Sequence, residues 1–393
     1  MSARGRYPER HTLTDSSTTD TSDAPFFLCY VETTRRCNLA CPYCMSRLPG
    51  PAPGPEMTTD EIKHRVLDEL ALARPGAAVA FSGGEMLLRD DALELVRHAG
   101  KKGLAVFLNT NGIALTEEIL PELRDAAEGR LVIVLPFNSV EEDVQRWTRD
   151  DSAATVKSAA ERCADAGVDY FFLVTVSSKS APSLADTMQY LKRRQVPVLR
   201  APFVPRGAGA DHRDLLLTRE LMRQFVHPAL TSNELAYISF TPFFASPEKL
   251  AEAWKQKGVR IEGIGCHAGR SFAAVSTEGE ITPCVQLLDS SASCGNIRES
   301  RLSEVLDSHP VFVGLRSREN LGGKCGRCRY KMSCGGCRAL AHYVNGDIFA
   351  EDPTCFFEPE DETTVSPLEE KQTAQTAKFL DFLKYNEPWN TLF

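Results

Sequence analysis

Short apolar runs alternate with amphipathic segments six times in the first half of the chain, and this rhythm limits the fold more than any other feature. The apolar runs are FFLCYV (26–31), AAVAF (77–81), LAVFL (104–108), LVIVL (131–135), DYFFLVTV (169–176) and VPVLRAPFV (196–204). Helical patterns follow at 58–73, 90–101, 116–127, 152–167, 181–194 and 218–227. Apolar strands separated by helices are typical of a parallel sheet built from βα units. We therefore predict an α/β fold, a partial (β/α)6 barrel, with its chemistry on the loops that follow the strands.

The remainder of the 393 residues divides by composition. Residues 1–24 are polar and predict a mobile tail, 25–227 hold the barrel pattern, 228–262 indicate a connector, 263–360 a cysteine-rich domain and 361–393 a terminal helix or tail. A net charge of −8 argues against a nucleic-acid binder. No apolar run reaches the ~18 residues of a membrane span, and the N-terminus lacks the apolar core of a secretion signal. We therefore expect a cytoplasmic protein without a membrane or nucleic-acid partner.

Thirteen cysteines are unusual in such a chain, because a disulfide framework is not expected without export. Three of them follow the first predicted strand as Cys37-Asn-Leu-Ala-Cys41-Pro-Tyr-Cys44. Three thiolates on one loop are one short of the four that close a cubane iron–sulfur cluster, so one metal position would stay open. The same spacing also permits a zinc site with a fourth ligand such as Cys29 or His64.

Polar loops follow the second and third predicted strands as well. The second strand ends in Phe81-Ser-Gly83-Gly84-Glu85, and the third is followed by Asn109-Thr-Asn111-Gly112. Two glycines allow the backbone to approach a ligand closely, and a carboxylate accepts hydrogen bonds from an ammonium group. Because the carboxyl ends of neighbouring parallel strands meet at one rim, we expect these loops and the cysteine loop to form one site.

These motifs together resemble the radical S-adenosylmethionine (SAM) enzymes over residues 26–225. The resemblance implies that Cys37, Cys41 and Cys44 bind a [4Fe–4S] cluster. It also implies that Gly83, Gly84 and Glu85 bind the methionine end of SAM and that Tyr43 lies near the adenine. Further SAM-binding residues implied by the resemblance are Asn109 at the same rim, Ser139 or Asn138 at the ribose, Arg146 or Arg149 at the methionine carboxylate, and the loop Pro205-Arg206-Gly207-Ala208 over the adenine.

The remaining clustered cysteines are similar to the SPASM extension of some radical SAM enzymes. The resemblance implies two auxiliary clusters, so that the protein would hold three iron–sulfur clusters, all of the [4Fe–4S] type, and SAM. The outer one would be bound by Cys325, Cys328, Cys334 and Cys355, and the inner one by Cys266, Cys284 and Cys337. Cys294 is the candidate for a fourth inner ligand; without it the inner site would be open to substrate. Two CxxC pairs in a glycine-rich segment also satisfy the spacing of a zinc ribbon.

The resemblance implies an oxidoreductase or lyase that cleaves SAM to a 5′-deoxyadenosyl radical, abstracts a substrate hydrogen and oxidises the substrate by dehydrogenation, cross-linking or decarboxylation. We expect a small natural product or a ribosomal peptide as substrate and a low-potential electron donor such as flavodoxin or ferredoxin. A second hypothesis is a tetrapyrrole side-chain decarboxylase or oxidase, because the segment CGGCRALAHYVNGDIFAEDPTC is similar to enzymes of haem-type biosynthesis. A third is a non-catalytic metal-binding module.

No catalytic residue is assigned from the sequence. In the sulfatase-maturing members of the family, an Asp that acts as a base follows the second cysteine of the inner group. In this chain Val285 follows Cys284. We interpret Asp289, Tyr343, Asp347 and His267 as structural rather than catalytic. The N-terminal tail is too short for the peptide-recognition module of many peptide-modifying relatives, so a peptide substrate would need a separate recognition protein.

Overall fold

The computed structural model describes residues 27–50, 54–150, 153–194, 197–230, 240–246, 248, 252, 265–359 and 368–376. The predicted tail at 1–24 and most of the predicted connector lie outside the described residues. The described part of the predicted terminal helix, 368–376, is helical. No described helix combines the length and apolarity that a bilayer crossing requires.

Six parallel strands lie across one sheet in the order of the chain. They are β1 (Leu28–Glu32), β2 (Ala78–Ser82), β3 (Ala105–Asn109), β4 (Leu131–Pro136), β5 (Asp169–Val176) and β6 (Val198–Pro202). Each bound lies within two residues of the apolar run that predicted it. These strands are rich in buried apolar side chains, because helices cover one face and the barrel interior the other. The predicted partial (β/α)6 barrel is confirmed.

Helices follow the strands as the amphipathic patterns predicted. They are α1 (Asp68–Ala73), α2 (Ala92–Lys101), α3 (Ile119–Ala126), α4 (Glu142–Arg149), α5 (Ala153–Asp165), α6 (Leu184–Lys192), α7 (Arg219–Leu221) and α8 (His227–Leu230). A π-helical turn precedes α1 (Glu61–Leu67), and another joins α7 to α8 (Met222–Val226). The cysteine-rich part adds α9 (Leu302–Ser308), α10 (Pro310–Ser317), α11 (Gly323–Arg327) and α12 (Arg338–Asn345).

Helix α4 was not predicted, because its buried side chains are polar. Gln145 and Thr148 form its buried face, so no apolar stripe marks the helix in the sequence. The side-chain oxygen of Gln145 accepts a hydrogen bond from the backbone N–H of Asn138 at 2.7 Å, in the loop after β4. The helix ends at Arg149, and the residue that follows it, Asp150, has a left-handed φ of 52°. Its last turn places Arg149 beside the first cysteine loop.

The sheet continues into the cysteine-rich part of the chain, which the sequence did not indicate. Strand β7 (Phe272–Val275) pairs in parallel with β1, so that Leu28 lies opposite Phe272. Strand β8 (Ile281–Thr282) then pairs antiparallel with β7. These strands have four and two residues, too few for a strand pattern to stand out. The two parts of the chain that were expected to be separate domains therefore share one eight-stranded sheet.

Cys29 and Cys163 fit no cysteine motif, and both are fully buried within the apolar core. Burial raises the pKa of each thiol to about 12. A thiol with so high a pKa stays protonated at neutral pH and behaves as a small apolar group.

We predict that Cys163→Ala lowers the free energy of unfolding by about 1 kcal/mol, because it removes one buried sulfur from a packed core. Iron bound per chain should not change. Thermal melting of the anaerobically reconstituted protein, with iron analysis on the same samples, checks both points. Loss of iron in this variant would contradict the assignment of Cys163 to the core.

Candidate functional site

A cavity of about 380 Å³ lies at the carboxyl ends of the barrel strands, within the size range of ligand sites in proteins. Its wall combines the loops after β1, β2, β3 and β6 with the cysteine-rich part of the chain. Six cysteines line it: Cys37, Cys41, Cys44, Cys266, Cys284 and Cys337. The cysteine loop and the polar loops after β2 and β3 thus meet at one rim, as their positions after the strands predicted.

The two glycines after β2 allow the chain to lie directly against the segment that leads into the first cysteine loop. The N–H of Gly84 donates to the carbonyl of Thr34 at 2.7 Å, and the next N–H donates to the carbonyl of Arg36. A Cβ on Gly84 would lie 2.1 Å from the Arg36 oxygen, and Gly83 has a φ of +115°. Other side chains would separate the two segments, so both positions require glycine. Both glycines line the cavity.

Glu85 is fully buried, and its carboxylate is already bonded to the protein. It accepts hydrogen bonds from the Thr110 hydroxyl at 3.0 Å and from the backbone N–H groups of Asn111 and Leu87 at 2.8 and 3.2 Å. Desolvation raises the pKa of Glu85 above its usual value, although these donors oppose the shift. The Asn111 side chain in turn donates to Asn38, directly after Cys37, at 2.7 Å. Glu85 therefore holds the loop after β3 against the cysteine loop.

Tyr43 and Asn138 are brought together at the cavity, whereas Ser139 is not. The Asn138 amide donates to the Tyr43 hydroxyl at 2.6 Å, and the Tyr43 ring packs on Trp147 and Phe203. Tyr43 lines the cavity, as does Asn109. The Ser139 hydroxyl instead lies 2.8 Å from that of Ser183 in the buried interior. The structure thus turns Ser139 away from the position that the sequence suggested for it.

The structure distinguishes Arg146 from Arg149, which the sequence alone could not do. Arg146 lies on the outer side of α4, where its side chain is 59% exposed and pairs with Glu142. Arg149 lines the cavity, and the charges nearest to it are those of Cys41, Tyr43, Cys44 and Cys37. Its Nε is buried without a hydrogen-bond partner among the described residues. A buried donor of this kind is costly unless a ligand satisfies it, so Arg149 fits an anionic ligand beside the cysteines and Arg146 does not.

The loop after β6 braces the first cysteine loop from the other side. The N–H of Ala208 donates to the carbonyls of Cys44 and Arg47 at 3.1 and 2.7 Å. Gly207 has a left-handed φ of +59°, and a Cβ there would lie 2.5 Å from the carbonyl oxygen of Met45. This contact therefore needs a glycine, as the motif Pro205-Arg206-Gly207-Ala208 suggested.

The cysteines of the C-terminal part form two groups, as the resemblance to the SPASM extension implied. Cys266, Cys284 and Cys337 line the large cavity, whereas Cys325, Cys328, Cys334 and Cys355 line a second, small pocket. Cys294 joins neither pocket. It lies in the core, where its thiol donates to the Ala292 carbonyl at 3.4 Å, and its nearest charged neighbour is Glu280. The structure therefore gives Cys294 no place in the inner group.

Backbone N–H groups point at many of these sulfurs. Donors to sulfur within 3.5 Å are Leu39 to Cys37, Asp352 to Cys325, Tyr330 to Cys328, Phe243 and Gly336 to Cys334, and Leu340 to Cys337. Such donors stabilise a thiolate, which is the form that binds metals. Burial acts in the opposite direction and raises the pKa of Cys284 and of Cys355 to about 12. A bound metal is the positive charge that would reverse this effect.

The spacing of the sulfurs distinguishes a single metal ion from a larger group. A tetrahedral zinc ion with bonds of about 2.3 Å holds its thiolate sulfurs about 4 Å apart. Within the part of the chain that the structure describes, only His64, Asp68 and His98 bring three potential ligand atoms within 4.8 Å of one another. In each described cysteine group the sulfurs are therefore not all within 4.8 Å of one another, which fits a multi-iron cluster better than a single zinc ion. The zinc ligands considered in the sequence lie elsewhere, since Cys29 is in the core and His64 bonds to Asp68.

The charged side chains on the cavity wall are all cationic. They are Arg35, Arg47, Arg149 and Arg200, and no described Asp or Glu lines the cavity. Arg200 is buried and makes no hydrogen bond or ion pair with a described residue, and burial alone lowers its pKa to about 9. The acids considered as proton acceptors are engaged elsewhere: Asp289 pairs with Arg206, and Asp347 accepts from the Phe349 N–H. The cavity is therefore suited to anionic ligands.

Comparison with known proteins agrees with this geometry. Residues 31–191 match the model of the radical SAM superfamily, and residues 266–329 match that of the SPASM iron–sulfur cluster-binding domain. The AdoMet-dependent heme synthase of Methanosarcina barkeri is 32% identical over 86% of this chain and 98% of its own length. The chain belongs to the radical SAM superfamily.

Other relatives of this radical SAM enzyme act on peptides. The PqqA peptide cyclase of Rhodopseudomonas palustris is 30% identical over 89% of this chain and 92% of its own length. Streptococcus suis SuiB bound to S-adenosylmethionine superposes with a TM-score of 0.62 at 15% identity, over 88% of this chain and 83% of SuiB, which shows the shared fold. The protein is therefore an enzyme with radical SAM oxidative chemistry. The hypothesis of a non-catalytic metal-binding module is wrong, because the named relatives over most of the chain are enzymes.

We predict that Arg149→Met weakens SAM binding by about tenfold to a hundredfold, the effect of losing one charge-assisted hydrogen bond. Arg146→Met is the matched control, because it removes the same charge one turn earlier on the same helix without touching the cavity. Equilibrium dialysis of SAM against both reconstituted variants gives the two affinities. Equal affinities would show that Arg149 makes no contact with SAM.

Proposed function

We propose that this radical SAM enzyme oxidatively decarboxylates a substrate that carries several carboxylates, with the propionate side chain of a tetrapyrrole as the first candidate. The observation that carries the proposal is a cavity flanked by two groups of cysteines, in which arginines are the only charged side chains among the described residues of the wall. The AdoMet-dependent heme synthase relative, similar over 98% of its length, supports the tetrapyrrole as substrate.

Cys37, Cys41 and Cys44 would bind a [4Fe–4S] cluster. Cys266, Cys284 and Cys337 would bind an inner auxiliary cluster, and the remaining four clustered cysteines an outer one. When bound, these groups supply the reduction of SAM to a 5′-deoxyadenosyl radical and a place for the electron that the substrate loses. Because three cysteines lie in each group that faces the cavity, each leaves one metal position toward the ligand space. Flavodoxin or ferredoxin is the electron donor we expect.

The chain's own residues would hold SAM between the first cysteine loop and the loop after β6. The backbone of Gly83 and Gly84 reaches the cavity and would receive the amino group, because the Glu85 carboxylate already accepts three hydrogen bonds from the protein. Arg149 would pair with the methionine carboxylate. Tyr43 and the turn at Gly207 would enclose the adenine, and Asn138, bonded to Tyr43, lies nearer to this space than Ser139.

The absence of carboxylates from the described wall favours decarboxylation over dehydrogenation. Dehydrogenation ends with the loss of a proton and needs a residue to accept it. Besides the arginines and cysteines, the described wall offers His267, but burial lowers its pKa to about 3, which makes it a weak acceptor. Decarboxylation ends with the loss of CO₂ and needs none. Val285 stands after Cys284, where sulfatase-maturing relatives have an Asp, and Asp289 is held by two arginines. Of the wall arginines, Arg149 is assigned to SAM and Arg35 is paired with Glu278 and Asp289, so Arg47 and Arg200 would bind the carboxylates of the substrate.

A peptide substrate is the second candidate. The PqqA peptide cyclase relative at 30% identity favours it, and carboxylate side chains of a peptide would meet the same arginines. The two candidates differ in their products, because a cross-linked peptide retains its carboxylates.

The cluster assignment predicts iron content. We expect about twelve irons per chain with equal sulfide, which corresponds to three four-iron clusters. Cys284→Ala should lower the iron by about four, because a cluster with two remaining cysteine ligands is not retained. Cys294→Ala is the matched control and should retain all the iron. Anaerobic reconstitution followed by iron, sulfide and zinc analysis decides, and two or three zinc ions per chain would contradict the assignment.

The substrate proposal predicts a defined product. The reduced enzyme, given SAM and a coproporphyrin-type tetrapyrrole, should form 5′-deoxyadenosine, and each modified side chain should lose the mass of one CO₂. The Cys37→Ala, Cys41→Ala, Cys44→Ala triple variant should form neither product. The tetramethyl ester of the same tetrapyrrole is the substrate control, because it lacks the carboxylates that the arginines would bind.

Two outcomes would overturn the tetrapyrrole proposal. One is 5′-deoxyadenosine formation at equal rates with the free acid and the ester, and the other is an unchanged porphyrin mass while a peptide loses hydrogen. Absence of 5′-deoxyadenosine with every substrate, at full iron content, would overturn the radical mechanism itself for this cavity.

A further inference from the structure

A buried carboxylate at the end of β1 holds the far end of the first cysteine loop. Glu32 is the last residue of β1 and is fully buried. Its carboxylate accepts a hydrogen bond from the hydroxyl of Ser46 at 2.7 Å, two residues beyond Cys44. It also receives two hydrogen bonds from the guanidinium of Arg206, both at 3.1 Å. The end of the loop is thus fixed both to its own strand and to the loop after β6.

The same guanidinium reaches the auxiliary domain, which is the cysteine-rich part of the chain at residues 265–359. Arg206 is 2% exposed and donates to the carbonyl of Val285 at 3.0 Å, directly after Cys284. Its second amino group pairs with the carboxylate of Asp289 at 2.6 Å. One side chain therefore contacts the loop that carries Cys284 and the strand that carries the first cysteine loop. Through Gly207 and Ala208 the same segment also touches the backbone of Cys44.

A second arginine holds the near end of the first cysteine loop to the same carboxylate. Arg35, two residues before Cys37, pairs with Asp289 at 3.1 Å and with both oxygens of Glu278 at 2.9 and 2.7 Å. Asp289 has a left-handed φ of 55°, which turns the chain at this point. The two ends of the first cysteine loop are therefore connected, through Arg35 and Arg206, to one side chain of the auxiliary domain.

Charge pairs of this kind are a poor way to gain stability alone, because each buried charge must first lose its water. An apolar contact would hold two domains together at a lower cost. Hydrogen-bonded charges, however, fix distance and direction, since they bond well only in a narrow range of geometry. The four carboxylate and guanidinium groups of Glu32, Arg206, Asp289 and Arg35 are thus suited to setting a separation between two loops.

We propose that Glu32, Arg206 and Asp289 are positioning residues that hold the first cysteine loop at a fixed separation from the Cys284 loop across the cavity. The inference rests on the proposed function, in which each loop holds a cluster and the substrate lies between them. A fixed separation keeps the substrate within reach of both, so that each SAM cleaved gives one product. When the separation varies, SAM is cleaved without product.

Asp289→Asn is the test variant, because it keeps the side-chain shape and removes the charge that the two arginines share. Glu61→Gln is the matched control. Glu61 pairs with Arg298 at 2.6 Å across the same junction between the two domains but touches neither cysteine loop. Arg206→Lys is a second test variant, since an ammonium keeps the charge but cannot bond Glu32, Asp289 and the Val285 carbonyl in the same planar arrangement.

The first measurement is hydrogen–deuterium exchange of the reconstituted proteins, which needs neither SAM nor a known substrate. In Asp289→Asn we expect faster exchange, by about threefold or more, in peptides covering 35–48 and in peptides covering 284–290, although they belong to different domains. Glu61→Gln should change only peptides near 58–67 and 296–299. An increase in Asp289→Asn that is confined to 284–290 would overturn the proposal.

The second measurement is the ratio of 5′-deoxyadenosine to product at equal iron content. We expect this ratio to rise about threefold or more in Asp289→Asn and in Arg206→Lys, and to stay at the wild-type value in Glu61→Gln. If 5′-deoxyadenosine and product fall together at equal iron content, so that their ratio stays at the wild-type value, the role is purely structural and the proposal is overturned. If wild type forms no 5′-deoxyadenosine, the proposed function fails, whereas the exchange result still decides whether the two loops are linked.

Discussion

The pairing of β1 with two strands is the constraint on which the rest of the structure depends. On one side β1 pairs with β2, which brings the first cysteine loop beside Gly83 and Gly84. On the other side it pairs with β7, which anchors the cysteine-rich part of the chain to the barrel. Cys266 precedes β7 and Cys284 follows the antiparallel β8, so both lie near the start of β1, whereas the first cysteine loop follows its end; the cavity extends between them. Because the hydrogen bonds of one strand fix both neighbours, neither group of cysteines can shift without disturbing β1.

The sequence predicted those parts of the fold that depend on local pattern. The six barrel strands are apolar runs of five or more residues, and most of their helices have an apolar stripe, so periodicity alone places them. It missed α4, because the buried side of that helix is polar: Gln145 bonds to the loop after β4, and the Thr148 hydroxyl donates to carbonyls of its own helix. It missed β7 because a four-residue strand carries too short a pattern. Both elements are stabilised by contacts that only the assembled fold provides.

In the candidate site, too, the sequence predicted what depends on local motifs and missed what depends on the assembled fold. Spacing marked the first cysteine loop, and the resemblance to the SPASM extension sorted the later cysteines into the two further groups that line the two pockets. Spacing was not sufficient for Cys294, because its distance from Cys284 along the chain says nothing about where its side chain points. Nor could spacing choose between Arg146 and Arg149, which requires the orientation of a helix that was not predicted. The Glu32–Arg206–Asp289 contacts join residues far apart in sequence, and no motif signals them.

The arginines in and around the cavity are of two kinds, those paired with a carboxylate and those without such a partner. Arg35 and Arg206 are paired with carboxylates, and these ion pairs hold two loops together. On the wall, Arg149 and Arg200 have no such partner among the described residues. A buried guanidinium without a carboxylate partner attracts an anion strongly, because little water competes with it. Carboxylates on the wall would cancel the positive potential of these arginines and would also offer a proton acceptor to the substrate. Since Arg149 is assigned to the methionine carboxylate of SAM, Arg200 remains for the substrate, and it favours a substrate with a carboxylate, which can be lost as CO₂, over a neutral substrate.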